Sequence, residues 1–293
     1  TLNRHKATPM SIIDGQTKLL GLVGKKTNYT LSPMIHTASA QELGINQIYV
    51  NFDLDSGALK EFIDSFWHSG GIGLNITKPY KELVAKWFPN SNLKSVNTLY
   101  RSQIETWAAQ STDGEGFVEG LKHAQIDISA ITHLIILGSG GAVKGLLQYV
   151  LPRYRQIRSV DIFTRNSVAG EELQLLGKSF GISISLHEWN SRKFTDSISH
   201  NSNHSTLIIQ GTSGPQSGDL LTEFVPALSS YKGAFCDLIY DQPSALFHYA
   251  RSNGLKCQDG LPMLIEQARL SQLLWWNKAA SYEFIFKLMP SKI

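Results

Sequence analysis

The sequence has few charged residues, only two cysteines and no apolar run of membrane-spanning length. Asp, Glu, Lys and Arg make up 17% of the chain, and the net charge is +3 without a dense Lys/Arg stripe. Proteins that bind nucleic acids or membrane surfaces usually show such a stripe, so neither partner is expected here. A membrane-spanning helix needs about 20 consecutive apolar residues, and no such run exists.

The two cysteines, Cys236 and Cys257, lie in apolar segments without C-x-x-C spacing. This pattern does not support a disulfide framework or a cysteine-based metal site, and it favours two free thiols in a reducing compartment. The first residues also lack the apolar core of a secretory signal, so we expect a cytoplasmic protein. No metal site is predicted.

Length and periodicity favour an α/β fold with two domains. A chain of 293 residues exceeds the size that one hydrophobic core usually supports, and 42% hydrophobic residues suffice for two cores. Strand and helix patterns alternate, which is typical of a mainly parallel sheet covered by helices. Strands are predicted at 18–24, 47–53, 72–77, 95–101, 132–138, 158–165, 182–189, 206–213 and 233–240. The polar segment 196–205 predicts a loop.

A glycine-rich turn joins the predicted strand 132–138 to a helix. One glycine permits the tight turn, and the next lets the backbone approach a pyrophosphate at the helix N-terminus. The third position of the G-x-G-x-x-G pattern is Val143, so the match is incomplete, and a turn without a nucleotide is the alternative. The context favours dinucleotide binding by Gly138, Ser139, Gly140, Gly141 and Ala142.

The tip of the following strand indicates the cofactor. NAD enzymes place an acid there for the ribose 2′-hydroxyl. Ile162 and Phe163 follow Asp161, so this acid is predicted to lie inside the strand. The tip is then formed by Thr164, Arg165, Asn166 and Ser167, and an arginine with neighbouring hydrogen-bonding groups suits a 2′-phosphate. The predicted cofactor is NADP.

An ordered set of polar motifs accompanies the glycine turn. It consists of T-L-S-P (30–33), N-I-T-K-P-Y-K-E (75–82), S-V-N-T (95–98), S-T-D-G (111–114), D-G-L-P-M-L (259–264) and Gln267. In this order and spacing, from about residue 18 to about 288, the chain resembles the shikimate dehydrogenase family. The resemblance implies an N-terminal substrate domain completed by the C-terminal helices, with a Rossmann-type NADP domain inserted. The expected domains are 1–112 plus 260–293 for the substrate and 113–259 for NADP.

The resemblance also implies roles for individual residues. Lys81 and Asp113 would flank the carbonyl group of 3-dehydroshikimate and perform the proton transfer. A positioned ammonium can stabilise and protonate the oxygen that gains charge, in agreement with this role. The substrate carboxylate would bind Thr30 and Ser32, and the ring hydroxyls Thr77, Asn97, Asp113 and Gln267, with Tyr240 beside the carboxylate. Thr212, Gly260 and Met263 would contact the cofactor.

Several positions depart from the family pattern. Thr30 stands in place of serine, Ser111 in place of asparagine, and Pro262 in place of a glycine expected near the nicotinamide. Gln210-Gly211 replaces Asn-Ala, and Ala169 stands where a second phosphate-binding arginine is common. Quinate dehydrogenase, aminoshikimate dehydrogenase and a ligand sensor without turnover remain alternatives to shikimate dehydrogenase. A monomer or homodimer is expected.

Overall fold

The computed structural model describes residues 13–103, 105–201, 205–215 and 218–289, which form two α/β lobes. Each lobe is built on its own sheet, which confirms the predicted fold class. Short 3₁₀ turns at Pro89–Ser91, Ile128–Ala130 and Thr222–Ser230 connect some of the regular elements.

The first lobe contains a five-stranded sheet in the order β2-β1-β3-β4-β5. Its strands and helices are β1 (Lys18–Gly24), α1 (Ser32–Glu42), β2 (Gln47–Asp53), α2 (Leu59–His68), β3 (Gly73–Ile76), α3 (Lys81–Ala85), β4 (Thr98–Arg101) and β5 (Trp107–Gln110). The first three strands are parallel, whereas β4 and β5 form an antiparallel hairpin at one edge. The hairpin makes this sheet mixed.

The second lobe contains a six-stranded parallel sheet in the order β11-β10-β9-β6-β7-β8. Its elements are α4 (Asp113–His123), β6 (His133–Leu137), α5 (Gly141–Arg153), β7 (Ser159–Thr164), α6 (Ser167–Ser179), β8 (Ser183–Glu188), α7 (Ser191–His200), β9 (Thr206–Gln210), β10 (Ala234–Asp237), α8 (Ala245–Ser252) and β11 (Cys257–Gln258). The strand order reverses between β6 and β9. Open α/β sheets bind ligands at such a reversal, beyond the carboxyl ends of the strands.

Helix α7 corrects one expectation. The sequence predicted a loop over 196–205, but the helix continues to His200. Phe194 and Ile198 lie four residues apart, so both point to one face of the helix, and both are buried. Asn190 accepts a hydrogen bond from the Lys193 backbone at the start of the helix. Two buried apolar anchors and a cap therefore outweigh the polar composition of the segment.

The C-terminal helices α9 (Leu261–Trp276) and α10 (Tyr282–Leu288) return to the first lobe. Ile265 packs there with Ile35 and Ile285, whereas Met263, at the start of α9, belongs to the core of the second lobe. Helix α9 therefore contributes to both cores, and it packs closely against α4.

Close contact between α4 and α9 depends on Gly116. A Cβ atom at this position would lie 2.7 Å from the Gln267 backbone nitrogen and 2.9 Å from its Cα. We expect Gly116→Ala to lower the free energy of unfolding by about 1–3 kcal/mol, because the rigid backbone of α9 must shift. Gly57→Ala is the matched control, since a Cβ there meets nothing within 4 Å. Urea unfolding of both variants tests this, and equal midpoints would show that the helices separate without cost.

Candidate active site

A cleft of about 880 Å³ lies between the two lobes. Every residue that the sequence analysis assigned to a site lines it. The first lobe and its C-terminal helix contribute Thr30, Ser32, Thr77, Lys81, Asn97 and Gln267. The remaining lining residues are Asp113, Gly138, Ser139, Gly140, Gly141, Ala142, Thr164, Arg165, Asn166, Thr212, Tyr240, Gly260 and Met263. Lys144, Glu172, Trp189 and Lys78 also line the cleft and were not identified from the sequence.

Lys81 and Asp113 form an ion pair on the floor of the cleft. The distance from Lys81 Nζ to Asp113 Oδ2 is 2.7 Å, and the side chains are 19% and 5% exposed. Lys81 is the first residue of α3 and Asp113 is the first residue of α4, so two helix starts meet at this point. The pair thus presents one partly accessible ammonium beside an almost fully buried carboxylate.

Asn97 fixes the other oxygen of Asp113. Its Nδ2 atom donates to Asp113 Oδ1 and to Thr112 Oγ1, both at 2.9 Å. Its Oδ1 atom accepts the Thr112 backbone N–H at 2.8 Å. Gln267 joins the group, with its Oε1 atom 3.3 Å from Asn97 Nδ2. The two carboxylate oxygens therefore have separate partners, which leaves Asp113 one orientation.

The hydroxyls of Thr30 and Ser32 lie side by side, with the Thr30 Oγ1 atom donating to Ser32 Oγ at 3.2 Å. A serine followed by proline often caps a helix, but Ser32 is the first residue of α1 and does not cap it. The residue at the cap position is Leu31, which makes no capping hydrogen bond, and the Thr30 hydroxyl accepts the Ser32 backbone N–H at 3.3 Å instead. The Ser32 hydroxyl is therefore not committed to the helix, and it lines the cleft.

The glycine turn is shaped for a close approach from the cleft. Gly138 has a φ of +108°, which favours glycine, and Gly140 faces open space where a Cβ atom would stand. Val143, the residue that breaks the fingerprint, packs against Gly211, because a Cβ at position 211 would lie 2.5 Å from Val143 Cγ2. The large residue at one position is thus compensated by the small residue at the other.

The tip of β7 is formed by the residues that the sequence indicated. Asp161 lies inside the strand, where its carboxylate accepts a hydrogen bond from Ser197 and lies 2.9 Å from His187 Nε2. Arg165 follows the last strand residue and lines the cleft. The Asn166 side chain caps α6 through the Ala169 backbone N–H at 3.1 Å, so its Oδ1 atom is already occupied.

Lys144 connects the two lobes beside the glycine turn. Its ammonium donates to Glu82 of α3 at 2.8 Å and to Glu172 of α6. Burial of Lys144 opposes its charged form, but the hydrogen bonds to Glu172 and Glu82 leave its pKa raised. The charged lysine therefore pairs with two carboxylates, one from each lobe, at the edge of the cleft.

Local geometry accounts for two residues at the start of α9, of which Gly260 lines the cleft. A Cβ atom at Gly260 would lie 2.4 Å from the Leu238 carbonyl oxygen, so only glycine fits there. Pro262 lies in the first turn of α9, where a missing N–H costs nothing. Burial raises the pKa of Tyr240, so its hydroxyl stays protonated.

The described part of the chain contains no helix that is both long and apolar enough to cross a membrane. Over the same ranges, no group of three or more His, Cys, Asp or Glu side chains is arranged to hold a metal ion.

Comparison with known proteins gives consistent likenesses. A family model described as the shikimate dehydrogenase substrate binding domain matches residues 22–99. A shikimate dehydrogenase (NADP(+)) from Saccharolobus islandicus (strain L.S.2.15 / Lassen #1) is 31% identical over 294 residues, covering 96% of this chain and 97% of that protein.

Solved structures share the fold over both lobes. The shikimate 5-dehydrogenase from Listeria monocytogenes, in complex with shikimate and NAD, has a TM-score of 0.82 at 23% identity. The comparison covers 94% of this chain and 97% of that one. The quinate dehydrogenase from Corynebacterium glutamicum, in complex with NAD, has a TM-score of 0.78 at 20% identity, with 93% and 98% covered.

His36 lies on α1 one turn after Ser32, and it does not line the cleft. Its ring is fully buried and stacks on Tyr49 with the centroids 4.5 Å apart. The edge of Trp275 packs against it at 5.0 Å. Burial lowers the pKa of His36 to about 3, opposed in part by the Asn75 side chain, so the ring is neutral in the folded protein.

This buried histidine predicts a pH-dependent stability. The unfolded chain binds a proton at His36 near pH 6.5, whereas the folded chain does not until about pH 3. The stabilisation is therefore present above pH 6.5 and is lost as the pH falls, by about 2 kcal/mol between pH 6 and pH 4.5. We expect His36→Phe to remove this slope in urea unfolding curves. The exposed His68→Phe control should keep it, and a slope that persists in His36→Phe would contradict the assignment.

Proposed function

The chain belongs to the shikimate dehydrogenase family, and we propose that it reduces 3-dehydroshikimate to shikimate reversibly with NADPH. The observation that supports this proposal most is the Lys81–Asp113 ion pair, which faces the same cleft as the glycine turn. A proton donor and a dinucleotide cradle in one cleft are the two parts that a ketone reductase needs. In this proposal, residues 1–112 and 260–293 form the substrate domain and residues 113–259 form the NADP domain, while Asp113 and Tyr240 contact the substrate and Gly260 and Met263 contact the cofactor from across that boundary.

We place the substrate carboxylate at the adjacent hydroxyls of Thr30 and Ser32. Hydrogen bonds to a charged group are the stronger ones, and the Ser32 hydroxyl makes no bond to its own helix. Tyr240 would add a protonated phenol donor beside the carboxylate. The ring hydroxyls would bind to the polar groups around the ion pair, namely Thr77, Asn97, Asp113 and Gln267.

We place NADP along the second lobe. The open face of Gly140 at the start of α5 leaves room for a pyrophosphate, and a side chain there would fill that room. Thr164, Arg165 and Asn166 would hold the 2′-phosphate at the tip of β7. The remaining cofactor contacts would come from Gly138, Ser139, Gly141, Ala142, Thr212, Gly260 and Met263.

The proton transfer follows from the ion pair. NADPH, when bound, supplies the hydride. As the carbonyl oxygen gains negative charge, the Lys81 ammonium stabilises it and donates a proton to it. Asp113 orients the ammonium through Oδ2 while Asn97 holds Oδ1, so the donor does not have to reorganise during the reaction. In the oxidation direction the neutral Lys81 amine accepts the hydroxyl proton.

The test of this function is reduction of NADP⁺ with shikimate and with quinate, measured in parallel. We expect a higher kcat/KM with shikimate. A higher value with quinate would assign the chain to quinate oxidation instead. Tight binding of shikimate without turnover would indicate a ligand sensor, which the intact ion pair argues against.

Lys81→Ala tests the proton donor. We expect kcat to fall by about 10² to 10⁴, or about 3–5 kcal/mol of barrier, because a positioned acid is lost. KM should change far less. Lys86→Ala is the matched control, since Lys86 is exposed at the other end of the same helix. Wild-type kcat in Lys81→Ala would exclude this lysine as the proton donor.

A further inference from the structure

Arg165, at the tip of β7, already has an anionic partner. Its Nη2 atom donates to Asp219 Oδ2 at 2.6 Å, and its guanidinium lies over the Trp189 ring at 4.3 Å from the centroid. The side chains of Arg165 and Asp219 are 59% and 39% exposed. Arg165 lines the cleft, and Asp219 lies beside it, outside the lining. This hydrogen bond uses the Nη2 atom and leaves other N–H groups of the guanidinium for a ligand.

Two hydrogen bonds to the backbone hold Asp219 in place, although it follows β9 and not β7. It lies in the segment after β9, where its backbone N–H donates to the Gly214 carbonyl oxygen at 2.9 Å. Its second carboxylate oxygen accepts the Leu221 backbone N–H at 3.3 Å. Both carboxylate oxygens are thus occupied, and the negative charge is fixed beside the guanidinium.

The one arginine at this tip is paired with an acid, although a 2′-phosphate is negatively charged. The neighbouring turn of α6 offers Ala169, which carries no charge, and the Lys144 ammonium is bound to Glu82 and Glu172. A 2′-phosphate would therefore depend on Arg165, whose charge Asp219 already compensates. A ribose 2′-hydroxyl has no charge to be repelled, and it can donate a hydrogen bond to a carboxylate.

We propose that Asp219 is a specificity-determining residue that reduces the preference for NADP over NAD. The proposal rests on the proposed function, because it needs the adenosine ribose to lie at the tip of β7. Asp219 repels the 2′-phosphate through space and competes for the Arg165 guanidinium. Neither effect acts against NAD.

Asp219→Asn keeps the shape of the side chain and removes its charge. We expect the ratio of kcat/KM for NADP to that for NAD to rise about three- to thirtyfold at low ionic strength, mainly through KM for NADP. The increase should shrink as salt is added. Asp64→Asn is the matched control, because Asp64 is an exposed acid of α2 in the first lobe, paired with Lys60 at 2.7 Å. The control should change the ratio less than twofold.

Calorimetric binding of 2′,5′-ADP and 5′-AMP makes the test independent of turnover. We expect Asp219→Asn to strengthen binding of 2′,5′-ADP by a similar factor and to leave 5′-AMP nearly unchanged. An unchanged or smaller preference for 2′,5′-ADP in the variant would overturn the role of Asp219 while the proposed function stands. If wild type binds neither nucleotide, the placement of the cofactor is wrong, and the proposal fails with it.

Discussion

The side-chain amide of Asn97 is the interaction on which the site depends. It is buried at the start of β4, and it contacts Thr112 and Asp113 at the start of α4 and Gln267 of α9. One amide thus joins the first lobe to α4 of the second lobe and to α9, which contributes to both cores. In a low-dielectric interior a fully satisfied network is rigid, and each partner left alone would be costly. The orientation of the Asp113 carboxylate, and through it the Lys81 ammonium, follows from this one side chain.

Helix α5 makes further polar contacts between the two lobes. Lys144 bonds to Glu82 across the cleft, and Gln148, one turn later on α5, accepts the Lys94 backbone N–H at 2.8 Å. Gly145 lies between them on the same face, where a Cβ atom would approach Ser111 Oγ to 3.3 Å. Helix α5 therefore begins at the glycine turn and continues as the surface that docks on the first lobe. Because one helix serves both purposes, the glycine turn is connected directly to the lobe that carries Lys81.

The sequence predicted strands that have a clear local pattern, and it did not predict residues whose structure depends on partners distant in the chain. Strands β1 and β2 agree with the predicted ranges, because β1 is mainly apolar and β2 is rich in β-branched and aromatic residues. Strand β5 was not predicted, since Ala108 and Ala109 carry little strand signal and are held by pairing with β4. The predicted site residues came from ordered motifs and from the glycine turn, and they line one cleft. Lys144 and Asp219 carry no such motif, because their partners are far away in the chain, and only the folded structure brings these charges together.

Departures from the family pattern are absorbed by geometry close to each one. Val143 occupies the space that Gly211 leaves, so the turn keeps its shape although two residues differ. Pro262 lies where a helix needs no N–H donor, and Thr30 keeps the hydroxyl that meets Ser32. Ala169 is different, because among the described residues that line the cleft Arg165 is the one cation at the tip of β7, and its charge is shared with an acid. Changes of size are thus compensated within the structure, whereas this change of charge is not, and a charge difference is what separates NADP from NAD.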